Sequence, residues 1–146
     1  MVTKLAGLEI MQRVLSGELP PLPGSAITRI YPVKASAGCA VFDGEPSERF
    51  FNPDATIHGG WIAMILDSAM AWAVLSCLAA GQRYTTARIQ VSFVRPVTLK
   101  TGRVRCVGRV LHVGKRIATA EGRLTDQAGK LLAHGSETCL IMEAKT

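Results

Sequence analysis

From Gly60 to Ala80 the chain reads GWIAMILDSAMAWAVLSCLAA, apolar almost throughout, with Asp67 standing in its middle. An unpaired carboxylate buried in such a segment costs several kcal/mol, so the acid must find partners or change its protonation. The 20 residues from Trp61 to Ala80 are long enough to cross a bilayer. A central Asp, however, opposes insertion by about 2.5–3.5 kcal/mol, and Ser68 and Ser76 add further polar groups. A helix apolar all round is equally what a sheet wraps. The segment therefore reads as the central helix of a globular fold, and no membrane association is expected.

The flanking sequence supplies the sheet. After the helix come four extended runs, YTTARIQVSFVRPV, GRVRCVGRVLHVG, KRIATAEGRLTDQAGK and LLAHGSETCLIME, the last two joined by a turn at Asp126–Gly129. In the first, Ile89, Val91 and Phe93 alternate with Arg88, Gln90 and Ser92. In the second, Val104, Cys106, Val110 and His112 alternate with Arg103, Arg105 and Arg109. Before the helix, residues 26–43 read as two strands turning near Ser36–Gly38, and GEPSERFFNPDATIHGG as a loop. At the N-terminus, Leu5, Leu8, Met11, Val14 and Leu15 fall at helical spacing over residues 3–17, with Thr3 as the N-cap. Gly17 and LPPLPG end that helix. The order helix, two strands, long helix, four strands is α+β. Residues 1–24 form an N-terminal helix and Pro-rich linker, and 25–146 the main domain.

At 146 residues and 48% apolar, the chain is one domain's worth and too apolar for disorder. No secretory leader is expected, since Glu9 and Glu18 interrupt the first residues. Cys39, Cys77, Cys106 and Cys139 are far apart and form no CxxC pair, so neither a disulfide framework nor a metal site is expected, and a reduced, cytoplasmic protein is. The net charge of +6 is uneven: from Arg83 to Lys130 eleven Lys and Arg face only Glu121 and Asp126. That half suits either an anionic partner or a solvated sheet face. Nucleic acid is not expected, because Trp61, Trp72, Tyr31 and Tyr84 are not interleaved with the basic residues.

His58, Gly59 and Gly60 stand where loop becomes helix. The first N–H groups of a helix lack internal partners, and glycines let a ligand oxygen approach. Such a place suits an oxygen that becomes anionic in a transition state, or the glycines serve only a tight turn. Gly59 and Asp67 are eight residues apart, roughly 12 Å of helix. One helix cannot bring both onto a single reacting carbon. If both serve one reaction, they come from two chains, with the helices antiparallel across a twofold axis.

Asn52, HGG at 58–60, Asp67 nine residues after the His, and the run VSFVRPV together resemble the hotdog-fold acyl-CoA thioesterases. Within them the chain is most similar to the phenylacetate-pathway (PaaI-like) branch, over about residues 25–142. The resemblance implies a hotdog fold: a long helix wrapped by a five- to six-stranded antiparallel sheet. It implies that the Gly59 N–H holds the oxyanion and that Asp67 of the partner subunit acts as base or nucleophile. Asn52 would position water or substrate, His58 would brace the loop, and Thr86, or adjacent Thr85, would hold the water. Gly60 would sit against the substrate, with Arg88, Arg95, Lys115 and Arg116 as candidates for the phosphates of coenzyme A. No cofactor is implied, coenzyme A being part of the substrate, and a homo-oligomer, at least a dimer and by family habit a tetramer, is.

The chemistry is consistent with that resemblance. Thioester hydrolysis needs an oxygen nucleophile and a place for the negative oxygen, while the thiol leaves readily. No Ser–His–Asp order or GxSxG elbow competes. Ile62, Ala63, Leu66 and Met70 are candidates to line the pocket, with sizes that fit an aryl ring or a medium chain. A hotdog hydratase would need a different His-containing motif. A non-catalytic acyl-CoA-binding module is the other alternative; regulators of that kind add a helix-turn-helix, for which the first 24 residues are too little.

Overall fold

The computed structural model describes residues 4–144. Helix α1 (Gly7–Ser16) packs Met11 into the core with no exposure and ends at Gly17, whose φ of 84° is left-handed. It begins later than the spacing predicts, after Ala6, which offers no side-chain cap; Thr3, the expected cap, lies outside the described residues. A second expectation is also corrected. The chain is not extended at residue 26 but forms a short helix, α2 (Ser25–Thr28), held by the Trp61 indole N–H, which donates to the Thr28 carbonyl at 2.8 Å. Strand β1 (Ile30–Ser36) then pairs with β2 (Cys39–Gly44) through the expected turn.

Helix α3 (Gly59–Leu75) is the central helix, 17 residues long, shorter than the apolar run. It stops because the Ser76 hydroxyl turns back to the Ala73 carbonyl at 2.6 Å while accepting the Gly38 N–H of the β1–β2 turn at 2.8 Å. No helix among the described residues is long and apolar enough to cross a membrane. The chain then crosses to β3 (Gln82–Phe93), followed by β4 (Val104–Val113), β5 (Ile117–Thr125) and β6 (Leu131–Glu143). All six strands form one antiparallel sheet in the order β1-β2-β4-β5-β6-β3, wrapped about α3.

Close approach of helix to sheet depends on glycine. A Cβ on Gly108 would lie 2.2 Å from the Ala69 carbonyl oxygen, and one on Gly122 3.0–3.1 Å from Met70 and Leu66. Leu66 and Met70 are therefore core residues pressed on β5, not the pocket lining their helical position allowed. His112 also departs from its expected inward face: the register shifts between Val110 and His112, and the strand turns it outward.

The two sheet edges differ. The β1 edge carries Pro32, a register shift and Lys34, devices that block further pairing. The β3 edge has no proline, and while Tyr84 and Val91 pack partly on the core, Ile89 is 38% and Phe93 57% exposed. The alternation of β3 is thus correct in period but has nothing in the protomer to cover most of it.

Candidate active site

The start of α3 is organised by its own cap. His58 Nδ1 accepts the Gly60 N–H at 3.0 Å, and the His58 carbonyl accepts Trp61 N–H at 3.0 Å and Ile62 N–H at 3.4 Å. With Nδ1 accepting, the ring proton sits on Nε2, which makes the other edge a donor. Gly59 is left with an N–H that finds no acceptor among the described residues. Helix dipole and bare donor coincide there, where a negative oxygen is favoured.

Two loops brace this start. His58 N–H donates to Phe50 O at 2.7 Å, and Ile57 N–H to Val97 O at 2.8 Å. Asn52 organises the preceding turn: its Oδ1 accepts Asp54 and Thr56 N–H at 3.0 and 3.1 Å, and its Nδ2 donates to Thr56 Oγ1 at 2.7 Å. A pocket of about 300 Å³ opens beside Gly59, lined by Ile57, Ile62, Phe93, Val94, Pro96 and Val97, with Arg95 at its rim. The Phe93 ring lies against Gly59, so close that a Cβ there would sit 3.1 Å from it. Phe93 is a pocket wall that the strand periodicity alone does not single out.

Asp67 is half-buried. It lies on the one face of α3 that the sheet leaves open, with exposed Gly60 and Met64 and half-buried Ala63 and Ser68 at positions i, i+3, i+4, i+7 and i+8. Its Oδ1 is 3.4 Å from Thr86 Oγ1, so Thr86 and not Thr85 is the β3 hydroxyl that meets the acid. Beyond Thr86 stands a second carboxylate, Glu137 of β6, only 2% exposed. Its Oε1 is 2.5 Å from Thr86 Oγ1 and accepts the Cys139 thiol at 3.2 Å, while its Oε2 has no partner.

Burial, and then the charge of Asp67, push the Glu137 carboxyl up to about 7, against the hydrogen bonds from Thr86 and Cys139, which favour the ionised form. The Cys139 thiol is pushed up to about 12, chiefly by burial and then by Glu137. The Tyr84 phenol is raised as well, by burial first and then by Cys139, Glu137 and Asp67. Sequence reading missed Glu137, although a signal existed. Period two along β6 puts Ala133, Gly135, Glu137, Cys139 and Ile141 on one face, and the other four are core or near-core residues.

The structure does not gather all the expected residues. Gly59, His58 and Gly60 form the helix start, Asp67 and Thr86 a second cluster about two turns along, and Asn52 bonds only within its own loop. Arg88, Arg95, Lys115 and Arg116 have exposed side chains, Arg95 donating to the Leu131 carbonyl at 2.6 Å and Lys115 and Arg116 sitting in the β4–β5 turn. A groove of about 940 Å³ lies elsewhere, lined by the ion-paired Arg29, Asp43, Glu45, Arg103 and Arg105. Among the described residues, no group of His, Cys, Asp and Glu could hold a metal ion, and the four cysteines are unpaired.

Comparison with known proteins places this geometry. The sequence model of the thioesterase superfamily matches residues 55–133, more than half of the chain. Human acyl-coenzyme A thioesterase 13 is 30% identical over 107 residues, 73% of this chain and 75% of its own length. A phenylacetic acid degradation-related protein from Ralstonia eutropha JMP134 superposes with a TM-score of 0.80 at 28% identity, covering 89% of this chain and 98% of that one. The PaaI protein of the E. coli phenylacetic acid degradation operon shares the fold, with a TM-score of 0.81 over 97% of this chain and 98% of its own, at 18% identity.

Proposed function

The chain belongs to the thioesterase superfamily, a thioester hydrolase of the hotdog fold, and from that premise we propose that it hydrolyses an aryl- or medium-chain acyl-coenzyme A at a site completed by two protomers. One observation carries the reading. The free Gly59 N–H and the Asp67 carboxylate lie on the same helix, roughly 12 Å apart at 1.5 Å per residue, on a face the protomer leaves open. A second α3 packed antiparallel on that face brings each Asp67 near the other chain's Gly59. The open β3 edge, with Ile89 and Phe93 exposed, suits the same association.

In this site the thioester carbonyl oxygen accepts the Gly59 N–H, which strengthens as the oxygen becomes negative. The acyl group enters the pocket beside Phe93 and Ile62. Asp67 takes a proton from water as the water attacks, the tetrahedral intermediate collapses, and the thiolate leaves and is protonated. If Asp67 attacks directly, a mixed anhydride forms and a second step with water frees it. Label found in Asp67 after single-turnover hydrolysis in ¹⁸O-water identifies the anhydride route, since direct attack of water puts the label in the product acid alone. The exposed Arg88, Lys115 and Arg116, with Arg95 at the pocket rim, suit the phosphates of coenzyme A. A dimer is the minimum assembly, a tetramer the expected one, and the unpaired cysteines suit the reducing cytoplasm.

The test is thiol release from a panel of phenylacetyl-, benzoyl- and octanoyl-coenzyme A. Asp67→Asn and Asp67→Ala should lower the rate by about 10²–10⁴ with the fold intact. Release that survives both substitutions sinks the assignment.

A further inference from the structure

Thr86 faces two carboxylates with one proton to give. Its Oγ1 is within reach of both Asp67 Oδ1, at 3.4 Å, and Glu137 Oε1, at 2.5 Å. A hydroxyl donates only once, so it serves one acid at a time unless the other donates to it. Glu137 is the acid that can do so. It is 2% exposed, forms no ion pair among the described residues, and its Oε2 is without a partner, a costly arrangement for an anion and a cheaper one for a neutral acid.

We propose that Glu137 is a positioning residue: when it carries a proton it donates to Thr86, Thr86 then donates to Asp67, and the three side chains form a relay that holds the reacting carboxylate in place. Loss of that proton reverses the relay. Thr86 turns its hydrogen to Glu137, Asp67 loses its donor, and it faces a second negative charge. The inference rests on the reading of Asp67 as the reacting acid, although the coupling of the two carboxylates does not.

The titrating groups around Glu137 are few. Asp67 faces it from α3, Tyr84 from β3 and Cys139 from β6 itself, while β5 places neutral Ala120 opposite it. Tyr84 and Cys139 are raised above their ordinary ranges, so neither gains charge near neutral pH. With the Glu137 carboxyl up at about 7, the relay changes direction near neutral pH.

Two measurements test this. The first is ¹³C NMR titration of the side-chain carboxyls in the full-length protein. Glu137, assigned by its loss in Glu137→Gln, should titrate near 7 and move to lower pH in Asp67→Asn, where the neighbouring charge is gone. The second is the pH profile of kcat/KM. In the wild type it should fall about tenfold between pH 6 and pH 8 if only the protonated form is active, and Glu137→Gln should lack that limb. Thr86→Val should lower kcat and move the Glu137 titration to higher pH, because the hydrogen bond that favours the ionised form is gone. Titration of Glu137 in the ordinary carboxylate range, or a limb that persists unchanged in Glu137→Gln, overturns the relay. Coupled carboxylates in a protein that releases no thiol from any acyl-coenzyme A would instead sink the functional reading and leave the relay standing.

Discussion

Replacing Glu137 by Gln should make the protein more stable at alkaline pH and leave it nearly unchanged at pH 4. The ordinary glutamate value of 4.5 applies to the unfolded chain, while the folded carboxyl holds its proton to about 7. Below 4.5 both states carry the proton and the group contributes no pH dependence. Between 4.5 and 7 the unfolded chain has released it and the folded one has not, so stability falls as pH rises. Above 7 both have released it and the loss stops growing. A gap of about 2.5 pH units at about 1.4 kcal/mol each makes the full loss roughly 3 kcal/mol. Gln cannot ionise, so its stability relative to wild type should improve by that amount between pH 4 and pH 8. Urea unfolding of both proteins at matched concentrations across this range measures it, with fixed concentration guarding against oligomer effects. Stability curves that run parallel from pH 4 to pH 8 refute the claim that the folded protein holds this proton. Asp67→Asn should lessen the fall in stability, since its charge is part of what raises Glu137.

Other substitutions probe the fold and the assembly. Gly108→Ala forces a Cβ to 2.2 Å from a helix carbonyl oxygen, a backbone atom that cannot swing aside, and should destabilise by roughly 3 kcal/mol or more in chemical denaturation. Ile89→Lys puts a charge on the open β3 edge; light scattering should show a protomer, with thiol release lost in parallel. Phe93→Ala removes a wall of the pocket beside Gly59 and should raise KM severalfold, while stability stays within about 0.5 kcal/mol because the ring is 57% exposed.

Much of the fold was legible because it is written in two periods. The apolar run gave α3, and alternation gave the strands and turns, with β5 burying alternate residues from Ala118 to Leu124. What escaped depends on distant groups. The end of α3 is set by Ser76 meeting Gly38, 38 residues away in sequence, and the start of β1 by the Trp61 bond to Thr28. His112 left its expected face through one shift in register. At the site, Asp67 was conspicuous as an acid among apolar neighbours, and the HGG run marked the helix start. Glu137 was hidden by a habit of reading: an acid in an alternating strand is assigned outward, although its parity with Ala133 and Cys139 placed it inward.

The open surface of α3 bears on the chemistry proposed for the pair. Asp67 sits on the open face of α3, so the isolated protomer holds the carboxylate half in water and bears little of the cost of desolvating it. In the proposed pair, a second helix on that face would withdraw water from Asp67 at the step that brings Gly59 of the other chain beside it. Glu137 is already dry before any partner arrives, 2% exposed within one protomer. Of two acids joined by one hydroxyl, then, the inner has its environment fixed by folding, and in the proposed pair the outer would have it fixed by association. Electrostatic coupling between them grows as the outer one loses solvent, because effective dielectric falls with burial. In the proposed pair the substrate-ready arrangement of Asp67 would come from assembly, whereas the burial of Glu137 comes from the fold alone.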